Sequence, residues 1–420
     1  MQIFNVEVME VQEMISGSAT LVIDLGNSSS KCKVLFGKDP KTKLFKYRQF
    51  ELLNVFASID NNYAISSDYN PITSLVLDID TTKDNSELLA GVATGHYCVG
   101  DLQTREFPLT GMKPTATQHK WELPTTPLSL RYAFFQAARS ILSMNNTNDF
   151  SQLDITWKVI ALLPPGDVAI GQQVIKEMIK NINEVRCVFP NVTIPIKVEK
   201  CTVLPEGYCA YVGVVYNEGQ TFREECRYLT EETVLVYDIG AGTTDCLVIK
   251  DNKLVQNSKF TIQLGGNNVF QEVRQALRLR GLNISNENVE QGIVKGFVKD
   301  GAKKVSIVDE INKARQTAAI KINNEFQGYI EGTDLKIKDI SFVIVCGGGA
   351  LENTKNPDIH PLSAKIIENL KTLSPNIELV ELPTHKVTKE KADGGVEKVE
   401  EPINPRELNL IGASILAEAL

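Results

Sequence analysis

The 420-residue sequence lacks a basic cluster, a metal-ligand spacing and an apolar run long enough to cross a bilayer. Its net charge of −8 argues against sequence-independent binding of nucleic acid. The eight cysteines include no Cys-x-x-Cys pair, and the four histidines stand apart from one another. No signal peptide is recognisable. We therefore expect a cytoplasmic protein with buried, reduced thiols and no membrane partner.

A P-loop is absent as well, because no Gly-x-x-x-x-Gly-Lys-Ser/Thr segment occurs. The stretch Gly240-Ala241-Gly242 resembles part of a dinucleotide fingerprint, but that fingerprint must open a helix. Here an apolar strand, a turn and another strand follow. The length and the 43% hydrophobic content predict two domains with substantial cores.

The same short pattern occurs once in each half of the sequence. An apolar strand ends in Asp24-x-Gly26 or Asp238-x-Gly240, and a loop of small polar residues leads into a second strand. Small residues let backbone N–H groups approach a polyphosphate closely. Nearby hydroxyls can donate to phosphate oxygens; they belong to Ser28, Ser29, Thr243 and Thr244. Two such loops suggest two similar domains that close on one nucleotide.

Charged side chains accompany both loops. Asp24 and Asp238 stand at strand ends, where carboxylates can hold the hydration shell of Mg²⁺, an ion that binds through few carboxylates plus phosphates. Lys31 is suited to bridging β- and γ-phosphate oxygens. Asp245 has three open interpretations: it helps set the loop, contributes to the metal shell, or caps the turn.

A third glycine cluster, Gly347-Gly348-Gly349, follows the apolar segment 342–346. Glycines here let the backbone pass against a flat ring or a sugar. A tight strand-to-helix connection is the alternative, and the two interpretations are compatible.

These segments resemble the phosphate-1, phosphate-2 and adenosine motifs of the actin, sugar kinase and heat-shock chaperone ATPase superfamily. Within it, the sequence is most similar to bacterial actin-like ATPases of the ParM plasmid-segregation type, through Asp24-Leu25-Gly26-Asn27 and the segments 92–100 and 204–211. The resemblance implies an α/β, actin-like ATPase fold with two duplicated ribonuclease-H-like domains around a nucleotide cleft. Domain I would comprise residues 1–205 plus 402–420, and domain II residues 206–401.

The motifs and the resemblance together predict the site. Asp24, Asp238 and Glu206 are the predicted catalytic residues, with Glu206 orienting the attacking water; a helix-start glutamate stabilised by the macrodipole is its alternative. Asp24 and Asp238 would bind Mg²⁺ through water, beside ATP or ADP, with GTP as an alternative. The predicted nucleotide-binding residues are Gly26, Asn27, Ser28, Ser29, Lys31, Gly240, Ala241, Gly242, Thr243, Thr244, Gly266, Asn267, Gly347, Gly348 and Gly349.

The resemblance implies a nucleotide-dependent, filament-forming ATPase that drives plasmid DNA segregation. Its partners would be further copies of itself in a helical filament and a DNA-binding adaptor protein, without direct contact to nucleic acid. A small-molecule or sugar kinase is the first alternative, and a bacterial cell-division actin homologue is another. A chaperone ATPase would need an additional substrate-binding domain.

Periodicity and turn residues predict the secondary structure outside the motifs. Residues 51–125 are too irregular to interpret. The charged segment 386–401 is interpreted as a solvated loop or hairpin, with a filament contact as the alternative. Asp167 is the expected N-cap of a helix after Pro164-Pro165. The remaining predictions are meanders over 20–50 (third strand 43–47) and 233–263, a strand over 154–163, helices over 129–144, 206–216, 265–280, 308–326, 361–371 and 406–419, and strands over 342–346 and 377–381.

Overall fold

The computed structural model describes residues 14–26, 29–38, 40, 45–60, 62–63, 74–107, 112, 118–350, 356–390 and 396–418. The strands of the first half, in chain order, are β1 (Ile15–Asp24), β2 (Ser29–Lys38), β3 (Phe45–Leu53), β4 (Phe56–Ile59), β5 (Ser74–Ile79), β6 (Gly95–Gly100), β7 (Leu153–Leu163), β8 (Glu184–Phe189), β9 (Val192–Pro195) and β10 (Lys197–Pro205). The helices of this half are α1 (Asp101–Glu106), α2 (Thr125–Met144) and α3 (Pro165–Lys180).

The second half begins with a helix and continues with mixed elements. Its strands are β11 (Thr233–Ile239), β12 (Thr244–Lys250), β13 (Lys253–Leu254), β14 (Phe260–Ile262), β15 (Phe297–Asp300), β16 (Lys303–Ser306), β17 (Phe342–Cys346), β18 (Glu378–Leu379), β19 (Thr384–Glu390) and β20 (Val396–Pro402). Its helices are α4 (Tyr208–Val215), α5 (Gly266–Leu279), α6 (Asn286–Lys295), α7 (Val308–Ile330), α8 (Leu362–Leu373) and α9 (Leu408–Ala417).

The two main sheets have the same topology. The first has the strand order β10-β7-β1-β2-β3, and the second has the order β18-β17-β11-β12-β13 with β14 also paired to β12. In each sheet the central strand is antiparallel to the next strand in the chain and parallel to the later one, β7 or β17. This repeated arrangement agrees with the predicted duplication and brings the end of each central strand, Asp24 or Asp238, to the same edge of its sheet.

Helices α4 and α9 pack closely against each other beside both sheets. A Cβ atom added at Gly412 would collide with the carbonyl oxygen of Cys209, and one at Gly213 would lie 2.8 Å from the carbonyl oxygen of Leu408. Glycine at both positions therefore permits the close helix contact. Cys209, Leu410 and Ala413 join a buried apolar cluster with β1 and β7, so this helix pair is anchored on the first sheet.

Several predicted elements are confirmed with shifted ends. The two meanders, the strand 342–346 and the helices after residue 265 are present, and α2 begins at Thr125 instead of residue 129. In the segment 386–401, the described residues form the antiparallel strand pair β19–β20, which confirms the hairpin form of that prediction. The domain boundaries 1–205 plus 402–420 and 206–401 stay a prediction.

Two local predictions are wrong. Asp167 lies inside the first turn of α3, because Pro164 is the residue that precedes the helix. Helix α4 begins at Tyr208 instead of Glu206, because Gly207 adopts a φ of +68° and interrupts the backbone between β10 and the helix. Glu206 is therefore a turn residue.

The irregular region 51–125 contributes to a second sheet in the first half. Its strand order is β4-β6-β5-β8-β9, so short segments from this region pair with strands that come about a hundred residues later. The sequence analysis also missed α6 and the hairpin β15–β16. Such pairing depends on distant partners, which local periodicity does not report.

Candidate functional site

A cleft of about 510 Å³ lies where the loop of β1–β2 meets the loop of β11–β12. Glu206 and the glycine cluster after β17 face the same space. Asn27 and Ser28 lie outside the described residues. The cleft is lined by the following predicted site residues: Asp24, Gly26, Ser29, Lys31, Glu206, Asp238, Gly240, Ala241, Thr243, Gly266, Asn267, Gly347, Gly348 and Gly349.

A lysine of β2 lies against a carboxylate of β1, on either side of the loop between these strands (the first loop). Asp24 and Lys31 are opposite each other in the β1–β2 register, and Lys31 Nζ lies 3.3 Å from Asp24 Oδ2. Burial by itself would lower the pKa of Lys31, but the carboxylates of Asp24 and Asp238 outweigh this effect and raise it. Lys31 therefore stays charged in the cleft.

Asn54 holds the first loop in shape, and the sequence analysis missed it. Its Nδ2 donates to the carbonyl oxygen of Gly26 at 2.6 Å, and its Oδ1 accepts from the hydroxyls of Ser30 and Ser129 at 3.0 and 2.9 Å. A Cβ atom at Gly26 would collide with the carbonyl oxygen of Ser29, so this turn requires glycine. A single asparagine after a strand carries no sequence signal for this role.

The second loop rests on the start of α5. The N–H groups of Gly266 and Asn267 donate to the carbonyl oxygens of Gly240 and Ala241 at 3.0 and 2.7 Å. Within the loop, the Gly240 N–H donates to the Thr243 carbonyl oxygen at 2.8 Å. The first N–H groups of α5 therefore fix the loop, which limits what they can offer to a phosphate.

Two of the predicted hydroxyl donors bond to acceptors within the protein. Thr244 is fully buried, and its hydroxyl donates to the Leu264 carbonyl oxygen at 2.7 Å, so this hydroxyl does not face the cleft. Ser29 does line the cleft, but its hydroxyl donates to the carboxylate of Glu51. That carboxylate also pairs with Arg406, with Nη2 3.0 Å from Oε1. Gly242 is not among the cleft-lining residues.

The three glycines after β17 differ in what a side chain at each position would meet. A Cβ atom at Gly347, where φ is +82°, would collide with Asp238 Oδ1, and one at Gly349 would collide with the side chain of Ile239. At Gly348 a Cβ atom would meet nothing within 4 Å. Gly347 and Gly349 thus serve close packing against β11, and Gly348 leaves an open face toward the cleft.

Buried carboxyl groups concentrate in the cleft. Burial, followed by the neighbouring Asp24, raises the pKa of Asp238 to about 6. Burial raises the pKa of Asp245 to about 7, although the Thr261 hydroxyl that donates to it acts in the opposite direction. The pKa of Glu206 lies well above its usual value because of burial and the charges of Asp24 and Asp245. This site is therefore poised for cations that would offset the carboxylate charge.

The residues present fit Mg²⁺ bound through water. Among the residues that the structure describes, no group of three or more His, Cys, Asp or Glu side chains has the arrangement to hold a metal ion alone. Magnesium needs no such group, because it keeps several waters and binds through one or two carboxylates plus phosphate oxygens. Asp24 and Asp238 supply that pair of carboxylates.

Lys120 is a second cation of the cleft that the sequence analysis missed. It begins a short 3-10 turn, Lys120–Glu122, and is 8% exposed. Burial lowers its pKa, and the carboxylates of Glu206 and Asp24 pull in the opposite direction. Lys120 therefore lies close enough to the predicted catalytic carboxylates to interact with their charges.

Trp121 packs the turn Lys120–Glu122 against α3. A Cβ atom at Gly171 of α3 would collide with the Trp121 ring. The His119 ring stacks on Trp121, with centroids 4.5 Å apart and planes 5° apart, and His119 Nδ1 lies 2.9 Å from Asp167 Oδ1. The first turn of α3 and this glycine together set the position of the turn that carries Lys120.

We expect Gly171→Ala to lower stability by ~1–3 kcal/mol, because the added methyl group must displace the Trp121 ring. The unfolding midpoint in denaturant and the tryptophan emission spectrum measure the two effects. Gly328→Ala in α7 is the matched control, since a Cβ atom there meets nothing within 4 Å. An unchanged midpoint and spectrum for Gly171→Ala would contradict this packing.

Several solved structures are similar to this architecture over almost the whole chain. Actin-like protein Alp7A is 16% identical, with a TM-score of 0.62, covering 96% of this chain and 97% of that one. The chain has the actin-like fold. A 15-stranded ParM filament from Clostridium botulinum gives 16% identity, a TM-score of 0.57 and coverage of 96% and 99%. Bacillus thuringiensis ParM with ATP is 16% identical, with a TM-score of 0.58, covering 96% of this chain and 99% of that one.

One family model matches part of the sequence of this actin-like chain. Residues 236–356, which include the second loop and the glycines after β17, match the family model for the C-terminal part of the MreB-like archaeal actin homologue. The comparison with curated proteins returned no match. In the described part of the chain, no helix combines the length and apolar character that spanning a membrane requires.

Proposed function

We propose that this protein binds ATP with Mg²⁺ in the cleft, hydrolyses it, and uses the nucleotide state to control its assembly into filaments. One observation carries the hydrolysis: Glu206 Oε1 is buried at the cleft and accepts no hydrogen bond from the described residues. A buried carboxyl oxygen without a partner is costly unless a ligand or an ordered water completes it. A water beside the γ-phosphate is such a partner.

The other cleft residues have complementary roles in this proposal. The two loops hold the phosphates through backbone N–H groups, and Lys31 and Lys120 add positive charge around the transferred phosphoryl group. Bound Mg²⁺ would neutralise phosphate charge, with its waters held by Asp24 and Asp238. Glu206 orients the attacking water and accepts its proton as the new oxygen–phosphorus bond forms and the bond from the γ-phosphorus to the departing ADP oxygen breaks.

The similar ParM structures suggest the remaining parts of the proposal, which concern the nucleotide, self-assembly and plasmid DNA. One ParM structure is described as containing ATP and another as a filament, but their identities of 16% carry the fold alone. We propose that this protein polymerises with itself in the cytoplasm, and that the filament moves plasmid DNA through a DNA-binding adaptor instead of touching DNA directly. GTP is the alternative nucleotide.

Phosphate release and filament pelleting test the proposal together. We expect wild-type protein with Mg²⁺ and ATP to scatter light, pellet, and then disassemble as phosphate accumulates. Samples with ADP and with no nucleotide provide the controls, and GTP tests nucleotide preference. A monodisperse monomer with ATP, from micromolar to tens-of-micromolar protein, would reject the filament.

A protein that stays monomeric with ATP would favour a small-molecule kinase. One observation supports this second candidate: Gln118, His119 and Asp167 also line the cleft and offer polar groups to a substrate hydroxyl. Asp245, with a pKa of about 7, is a carboxyl group suited to accept the hydroxyl proton. ATP hydrolysis that rises strongly with a panel of sugars and polyols, in a protein that stays monomeric, would support the kinase.

A further inference from the structure

Asn409 of α9 connects two parts of the cleft that belong to distant chain segments. It is 6% exposed. Its Nδ2 donates to Asp238 Oδ2, and its Oδ1 accepts from the Gly207 N–H at 2.8 Å. The donor and acceptor ends of one amide are thus both used, which fixes the orientation of the side chain.

The Asp238 carboxylate is confined on its other side as well. Its Oδ1 occupies the space that a Cβ atom at Gly347 would need. With Oδ2 bonded to Asn409 and Oδ1 next to the Gly347 backbone, the carboxylate has little freedom to rotate. Asn409 therefore determines how Asp238 is presented to the cleft.

The Gly207 N–H belongs to the turn that carries Glu206. The Glu206 N–H donates to the Leu163 carbonyl oxygen at 2.8 Å, and Gly207 follows with a φ of +68°. Gly207 thus has one neighbour anchored on β7, while its own N–H is anchored on α9. One asparagine thus connects the Asp238 carboxylate to the backbone of the turn that carries Glu206.

Helix packing gives this connection a fixed base. Asn409 lies one turn before Gly412, where α9 contacts the backbone of α4 so closely that a Cβ atom would collide. Close backbone contact leaves little room for sliding of α9 along α4. The position of α9 is therefore transmitted to Asp238 and to the Glu206 turn by a short side chain.

We propose that Asn409 is a positioning residue: it orients the Asp238 carboxylate toward the hydration shell of Mg²⁺ and sets its distance from the Glu206 turn. This inference rests on the proposed function, because it assigns Asn409 to the same magnesium-nucleotide site. Groups that orient metal-binding carboxylates typically change metal affinity or activity by about 10–100-fold when they are removed.

Asn409→Ala tests this role through magnesium dependence. We expect the Mg²⁺ concentration for half-maximal hydrolysis to rise about 10-fold, with kcat lowered, since Asp238 loses its fixed orientation. Binding of a fluorescent ADP analogue, measured with Mg²⁺ and with EDTA, gives a readout without turnover. Affinity in EDTA should stay at the wild-type value, and the gain on adding Mg²⁺ should shrink.

Ser414→Ala is the matched control, because Ser414 is buried on the same helix and its hydroxyl donates to the Leu410 carbonyl oxygen within that helix. It should keep wild-type magnesium dependence. If Asn409→Ala does not fold, Asn409→Asp replaces it: it keeps the size and the acceptor for the Gly207 N–H but loses the donor to Asp238.

Wild-type magnesium dependence in a folded Asn409 variant would overturn the inference. An equal loss in Ser414→Ala would also overturn it, because the effect would then belong to the helix as a whole. If wild-type protein binds Mg²⁺ and ADP but hydrolyses neither ATP nor GTP, the proposed function fails. The ADP measurement would still decide the role of Asn409.

Discussion

Asp238→Ala is expected to lower ATP hydrolysis at least about 100-fold, the scale on which a single preorganised electrostatic group acts in catalysis. The carboxylate lies near the end of the central strand of the second sheet, close enough to Asp24 and Lys31 for their charges to act on it. Its loss removes one of two carboxylates that would hold the waters of Mg²⁺. Steady-state phosphate release at saturating ATP measures the effect.

Two further variants separate this role from stability. Asp238→Asn keeps the shape and an acceptor for Asn409 but removes the charge, so it should lose hydrolysis while keeping the wild-type melting temperature. Asp300→Ala removes an exposed carboxylate from the hairpin β15–β16 of the same half and should hydrolyse ATP normally. Wild-type hydrolysis in Asp238→Ala would refute the assigned magnesium site.

The two Asp-x-Gly strand pairs could be predicted from sequence because their requirements are local. An Asp at a strand end, a small loop and a second strand are all encoded within about sixteen consecutive residues, and the pattern occurs twice. The β1–β2 and β11–β12 registers confirm both strand pairs. Gly26 has the same local character, since its constraint comes from Ser29, three residues away.

The residues that were missed act across long sequence separations. Asn54 contacts Gly26 and Ser129, and Asn409 contacts Asp238 and Gly207. Lys120 lines the cleft next to Trp121, which packs against Gly171, a residue of a later helix. No local pattern assigns these roles, even though Asn409 lies in a predicted helix, because they depend on tertiary contacts that a single sequence does not reveal.

The interpretation of the third glycine cluster shows the same limit. From sequence, Gly347, Gly348 and Gly349 were equivalent candidates for passing along a ring or a sugar. The structure distinguishes them, because β11 pairs with β17 and brings Asp238 and Ile239 against the first and third glycine. A glycine run indicates close approach, and the parallel strand pairing decides what approaches.

Glu206→Ala is expected to slow ATP hydrolysis about 100-fold or more, as for loss of a general base, while leaving assembly intact. Glu206 lies in the turn before α4, and the loops after β1 and β11 contribute other residues to the cleft. Nucleotide contacts that form in the closed state should therefore survive the substitution. We expect filaments that form with ATP and then persist, whereas wild-type filaments should decay as ATP is consumed.

The physical reason is that assembly and hydrolysis use different parts of the nucleotide complex. In the proposed function, closure around ATP would favour a shape that associates head to tail, and such a heterologous contact would not close on itself, so it would produce a helical filament. Time courses of light scattering and phosphate release on the same sample measure both events. Glu224→Ala, at an 80% exposed side chain, is the control and should behave as wild type. Rapid decay of Glu206→Ala filaments would contradict the assignment, because disassembly would then not depend on the water that Glu206 orients.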